Sequence, residues 1–213
     1  MPRLFIGLEI PELLKSQLLW PRSGVEGARW QRDDQLHLTL AFVGDVSRGI
    51  AHDVDSELSR LTVTPFELEL SGVGFFGKPA QPKALWAGVR DPAPIRHLHE
   101  KVSFAMERIG VDVDQRRFLP HVTLARFRRG ACARIGDWLS ENERLSTDRI
   151  WLSHFTLFSS HLTEERAHYE IENRYGSVIG SPLDGSSDHG YDDDCEEWMS
   201  DDWQSPTAFA ALP

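Results

Sequence analysis

The segments His37-Leu38-Thr39-Leu40 and His121-Val122-Thr123-Leu124 constrain this chain more than any other feature, because each lies in an apolar, β-branched run that follows a helical pattern and a connection. Leu36–Val43 and Pro120–Phe127 read as strands, the first ending at the turn signal Gly44-Asp45. Residues i and i+2 of a strand project from one face, so each histidine points the same way as its threonine. Upstream the halves also run in parallel: Phe5 to His37 spans 32 residues and Trp86 to His121 spans 35. The second half therefore approximately repeats the first, and a pseudo-twofold architecture follows.

The remaining elements fit that plan. Arg3–Glu9 is a short apolar strand, and Pro11 suits the first position of a helix carrying Leu14 and Leu18. Ile50, Val54, Leu58 and Leu61 recur at helical spacing. Pro65–Phe76 and Lys83–Arg90 are two more strands bounded by Gly and Pro. Ile95, Leu98, Val102, Ala105 and Ile109 make a helical stripe opened by Asp91-Pro92 and closed by Gly110. Ile135–Leu139 suggests a short helix, and Ile150–Phe158 with Ala167–Arg174 a closing hairpin. The sum is an α+β protein of two pseudo-symmetric lobes, mostly antiparallel sheet with helices on the outer faces.

Net charge is −10, which argues against a polyanionic partner until its distribution is considered. Residues 176–213 hold nine acidic side chains and no Lys or Arg, leaving 24 acids against 23 bases in 1–175. The body is electrically balanced. The segment 176–213, rich in Gly, Ser and Asp with no periodicity, reads as an acidic, disordered tail whose purpose the sequence does not give. An electrostatic mimic of nucleic acid is the functional alternative for it. Only Cys132 and Cys195 are present, one of them in the tail, so a disulfide framework is not expected, the two alone build no metal site, and a reducing cytoplasm is the simpler setting. The N-terminus lacks both a cleavage site and the length of a membrane span, so no membrane partner is expected.

Composition alone gives roughly 0.3 His-x-Thr triplets in a chain with nine His and eight Thr. There are four. His154-Phe155-Thr156 and His161-Leu162-Thr163 lie seven residues apart, cannot serve separate lobes, and His161 falls where a hairpin turn is expected. They read as structural. His37 and His121, at equivalent places in the repeat, can divide an in-line phosphoryl displacement, one withdrawing a proton from water and the other protonating the leaving oxygen. Thr39 and Thr123 can donate hydrogen bonds to the non-bridging oxygens, and no metal or other cofactor is required.

Arg126 can clamp a phosphate. Simple alternation from Leu124, however, sends it to the far end of the cleft from Thr123 or onto the other face. Its alternative is a solvated strand-end arginine beside Arg128 and Arg129. Phe75, Phe76 and Trp86 are core by the same measure, with base stacking as the other use.

The chain resembles the 2H phosphoesterase family, and within it the bacterial and archaeal RNA 2′,3′-cyclic phosphodiesterases, historically called 2′-5′ RNA ligases. The resemblance rests on Arg3-Leu4-Phe5-Ile6, on Leu36-His37-Leu38-Thr39-Leu40 followed by Phe42-Val43-Gly44, on Leu85-Trp86-Ala87-Gly88-Val89, and on Pro120-His121-Val122-Thr123-Leu124-Ala125-Arg126. It implies a two-lobed fold over roughly 2–175 with the cleft between the lobes. It also implies His37 as proton donor to the departing 3′-oxygen and His121 as the base that activates water, leaving a 2′-phosphomonoester. RNA ends bearing a 2′,3′-cyclic phosphate, or small cyclic nucleotides, are the implied partners of a monomeric enzyme, with 2′-5′ ligation as a further capability. From the residues alone the direction of proton transfer stays open. So do two rivals: a nucleotide-binding module that keeps the motifs without turnover, and a phosphodiesterase for small cyclic nucleotides or 2′-5′ oligoadenylate.

Overall fold

The computed structural model of the protein describes residues 2–114, 117–162 and 167–176. Beyond Gly176 the expected tail lies outside the described residues, as does Thr163. Among the described residues ten strands and four α-helices follow in the order β1 (Arg3–Glu9), α1 (Glu12–Gln17), β2 (Arg29–Trp30), β3 (His37–Asp45), α2 (Arg48–Leu58), β4 (Phe66–Leu68), β5 (Leu70–Lys78), β6 (Gln81–Val89), α3 (Ala93–Arg108), β7 (Val122–Arg126), α4 (Gly136–Asn142), β8 (Ile150–Leu152), β9 (His154–Leu162) and β10 (Ala167–Gly176), with one turn of 3-10 helix at Asp33–Gln35.

Eight strands form one antiparallel sheet in the order β10-β9-β1-β3-β7-β6-β5, with β2 pairing β7 beside β3. Its two halves, β10-β9-β1-β3 and β7-β6-β5, are joined where Leu38 pairs with Val122. Both of those side chains are fully buried. They belong to a core that also takes Leu40 and Leu124 from the sheet, Val54 and Leu58 from α2, and Ile95, Leu98, Val102 and Met106 from α3. Burying a side chain of this size contributes about 1.5–3 kcal/mol. The helices thus cover one face of the joint and leave the other to the histidines.

Local chemistry explains most element ends. Ser47 caps α2, its hydroxyl accepting the amide N–H of Ile50 at 3.3 Å. Asp91 Oδ1 accepts from Ala93 N at 3.0 Å ahead of α3, and Gly110 (φ 72°) closes it in the left-handed region that favours glycine. Pro11 sits just outside α1 as its N-cap rather than inside it. Ile50 is 40% exposed and Leu61 lies past the end of α2, so only Val54 and Leu58 of that expected stripe enter the core.

Two expected strands are each divided. Pro65–Phe76 becomes β4 and β5, broken at Glu69, and Ile150–Phe158 becomes β8 and β9, broken at Ser153; β4 and β8 then pair as a separate ribbon. The first break falls at the buried Glu69. Its carboxylate accepts from Arg90, from Ser146 at 2.9 Å and from Arg149 at 3.0 Å, and its carbonyl accepts the Arg90 amide. Satisfying a buried charge outweighs continuing a ladder. His161 is paired with His168 inside the hairpin rather than at its turn.

Candidate active site

Each His-x-Thr-Leu segment carries a β-bulge at its leucine. Thr39 pairs with Gly7 and Ala41 with Ile6, leaving Leu40 as the extra residue; Thr123 pairs with Trp86 and Ala125 with Leu85, leaving Leu124. A bulge shifts the alternation by one. Leu38–Phe42 and Val122–Arg126 accordingly share one pattern: buried, half-buried, buried, buried, exposed. Both bulge carbonyls are satisfied from outside the strand pair, Leu40 O by Nδ1–H of His99 on α3 (2.8 Å) and Leu124 O by the Gln31 amide next to β2 (2.8 Å). This register equates Trp86 with Gly7 and Ala84 with Phe5, so the sequence alignment of Phe5 with Trp86 was out of step by two residues.

The antiparallel pairing of Leu38 with Val122 brings four neighbours together on the opposite face. By the antiparallel register of Leu38 with Val122, His37 falls opposite Thr123 and Thr39 opposite His121. The expected pairs therefore share one patch of sheet surface.

The histidines are held alike. His37 Nδ1 lies 2.8 Å from the Gln35 carbonyl and His121 Nδ1 lies 2.7 Å from the Leu119 carbonyl, in each case two residues upstream. A carbonyl can only accept, so Nδ1 carries the proton and Nε2 of the neutral ring is free to act as a base. Aromatic rings hold the imidazoles from the side: Phe5 (4.8 Å) and Tyr169 (5.0 Å, edge-on) for His37, Phe76 (4.8 Å, edge-on) and Trp86 (6.2 Å) for His121. Phe75 alone of the three aromatics singled out turns to the core, and Phe76 and Trp86 flank the site. Nothing in the local sequence marked Tyr169, because its place depends on the β9–β10 register.

Burial among these rings, opposed by the Gln35 hydrogen bond and reinforced by the charges of Arg126 and His121, brings the His37 pKa down to about 4. Burial likewise lowers His121, again with help from Arg126. Arg126 thus acts on both rings. Alternation had left its face open, but the bulge at Leu124 puts it opposite Ala84, two residues from Trp86, and so on the same face as Thr123.

Cavities open at both ends of the patch. One of about 370 Å³ is walled by Thr39, Phe42, Phe76, Phe118 and His121, with His99 stacked on Phe118 at 4.0 Å. Another of about 520 Å³ touches His37 and is lined by Glu9, Lys15, Asp33, Tyr169 and Arg174. Here the third motif is explained: Thr156 Oγ1 donates to Glu9 (2.7 Å), Arg174 clamps the same carboxylate (2.6 and 2.8 Å), and His154 lies 3.6 Å from it. Those partners hold the Glu9 carboxyl below its usual range, Arg174 foremost. His154 and Thr156 belong to this structural cluster. Among the described residues no group of His, Cys, Asp and Glu is arranged to hold a metal ion, and no helix is long and apolar enough to cross a membrane.

The sequence profile of the family described as the 2′-5′ RNA ligase superfamily matches residues 22–164. An RNA 2′,3′-cyclic phosphodiesterase of Archaeoglobus fulgidus is 29% identical over 130 residues, 60% of this chain and 73% of that protein. One of Thermotoga maritima is 25% identical over 183 residues, 79% of this chain and 92% of that one. Among solved structures, E. coli LigT complexed with 3′-AMP matches with a TM-score of 0.69 and 25% identity, covering 84% of this chain and 99% of that chain.

Proposed function

Because the chain belongs to the 2′-5′ RNA ligase superfamily, we propose that it hydrolyses the 2′,3′-cyclic phosphate at an RNA end to a 2′-phosphomonoester, with His37 and His121 as acid and base. The observation that carries this reading is the four-residue patch around Leu38 and Val122, in which each free Nε2 has a threonine across from it. Relatives named RNA 2′,3′-cyclic phosphodiesterase support it.

His121 Nε2 withdraws a proton from water as the water oxygen forms its bond to phosphorus. The bond from phosphorus to the 3′-oxygen breaks, and His37 Nε2–H delivers a proton to that oxygen. Thr39 and Thr123 donate to the non-bridging oxygens, and the Arg126 guanidinium holds the anionic charge. Both imidazoles are neutral in the free site, so the proton His37 must donate arrives as the phosphate binds, because an adjacent anion favours imidazolium. The aromatic cavity beside Thr39 and His121 suits the terminal nucleobase.

The catalytic body is 1–175, with 176–213 an appended acidic tail. It works as a monomer, since all five side chains come from one chain, and in a reducing cytoplasm, where the exposed Cys132 stays free.

The test is to incubate the protein in a chelator with an oligoribonucleotide ending in a 2′,3′-cyclic phosphate and identify the product. Release of the 2′-phosphomonoester is expected. Tight nucleotide binding with no product replaces this reading with that of a binding module.

A further inference from the structure

Arg29 faces Arg126 directly across the β2–β7 pairing, while Trp30 faces the buried Ala125. Residues opposite one another in an antiparallel pair project from the same side, so the two guanidiniums share the histidine face with Thr123 and Ala84. Both arginines are exposed, and among the described residues neither is joined to a carboxylate; the nearby acids Asp33 and Asp34 are taken by Arg22 (2.6 Å) and Arg32 (3.3 Å). Like charges directly opposite in a ladder are destabilising.

The fold nonetheless fixes β2 in place. Trp30 packs on Trp138 (6.1 Å), whose indole N–H donates to the Pro21 carbonyl (2.8 Å), and the Gln31 amide is bound to the Leu124 bulge. An unneutralised arginine pair carried on a fixed strand beside the proposed phosphate site is suited to an anion. It lies two to three strand steps beyond Thr123, roughly 7–10 Å along the backbone at the usual rise per residue. That is comparable to the spacing of neighbouring phosphates on an extended single strand.

We propose that Arg29 and Arg126 form a second anion site that holds the backbone phosphate one nucleotide upstream of the cyclic end, making the protein selective for oligoribonucleotides over cyclic mononucleotides. This rests on the proposed hydrolysis and deepens it, since the histidine–threonine patch reads only the terminal phosphate. Arg126 serves both phosphates, whereas Arg29 serves the upstream one.

The test compares kcat/KM for a cyclic-phosphate-terminated trinucleotide with that for the matching cyclic mononucleotide, in the wild type and in Arg29→Ala and Arg29→Lys. The wild type favours the trinucleotide, and Arg29→Ala lowers the ratio about tenfold through KM, the size expected for a lost charge-assisted contact. Arg29→Lys restores part of it. In the wild type the ratio falls with added salt, the trinucleotide losing about 0.7 more in log–log slope for each extra contact, and in Arg29→Ala it falls less steeply. A ratio that Arg29→Ala leaves unchanged, or a wild type with no preference and no differential salt slope, overturns the proposal while leaving the hydrolysis intact. A wild type that turns over neither substrate overturns both.

Discussion

Leu40 and Leu124 are equivalent residues, each the extra member of a β-bulge that ends a His-x-Thr-Leu segment, and each has its carbonyl bound by a group from a distant element. The bulges put Phe42 and Arg126 back on the face of Thr39 and Thr123, so the place of Arg126, the proposed phosphate clamp, depends on them. In Arg126→Ala both imidazoles lose a cation that lowers them, and their pKa values rise. The whole pH–kcat/KM profile moves to higher pH while its maximum falls about ten- to a hundredfold. A profile that keeps its position contradicts this.

His99 is the donor to the Leu40 carbonyl from α3. His99→Ala leaves that carbonyl with an unmet hydrogen bond, at a cost of about 1–3 kcal/mol read as a lower urea midpoint, with an accompanying loss of turnover as Thr39 loses its fixed position. Loss of turnover without any change in midpoint argues for direct contact with substrate instead.

Gly74 lies under the ring of Trp86, so close that a Cβ there falls 2.2 Å from its Cζ2 atom. Gly74→Ala must displace the indole, which in turn flanks His121. The expected outcome is a fall in kcat of about tenfold or more with the chain still folded, since a misplacement near 1 Å is enough. Unchanged kcat shows that Trp86 does not orient the imidazole.

The pH dependence has a definite sign. Both histidines titrate below 6.5, His37 near 4, and one must be protonated while the other is not. The kcat/KM profile is therefore bell-shaped with its maximum between about 4 and 6.5, falling about tenfold per pH unit on the alkaline side. Stability follows the same groups. Between 6.5 and about 4 the unfolded chain takes up protons at these positions that the folded chain refuses, so stability falls as pH drops through that window. His37→Gln should lessen the drop in a denaturant midpoint series. A maximum above pH 7.5 contradicts the assignment.

The sequence carried the repeat, both strands, the two histidine–threonine pairs and the helices, because alternation and 3.6-residue periodicity are local signals. It did not carry the face of Arg126, since a bulge leaves no mark in alternation. It missed the division of β4 from β5 because the partners of Glu69 come from 21 to 80 residues away. Arg29 escaped notice for a similar reason: β2 is two residues long, and only its pairing with β7 gives that arginine a neighbour. The other His-x-Thr segment, at His154, shows the converse, a motif whose residues serve the Glu9–Arg174 cluster.

The two imidazoles are proposed to act as one unit, and single-turnover cleavage of an oligoribonucleotide 2′,3′-cyclic phosphate by His37→Ala, His121→Ala and the double variant measures that most directly. Each single variant is expected to lose at least about a thousandfold, and the double variant hardly more than either, as for residues that act together. Either single variant retaining a tenth or more of the wild-type rate, roughly 1.4 kcal/mol or less in barrier, contradicts the account.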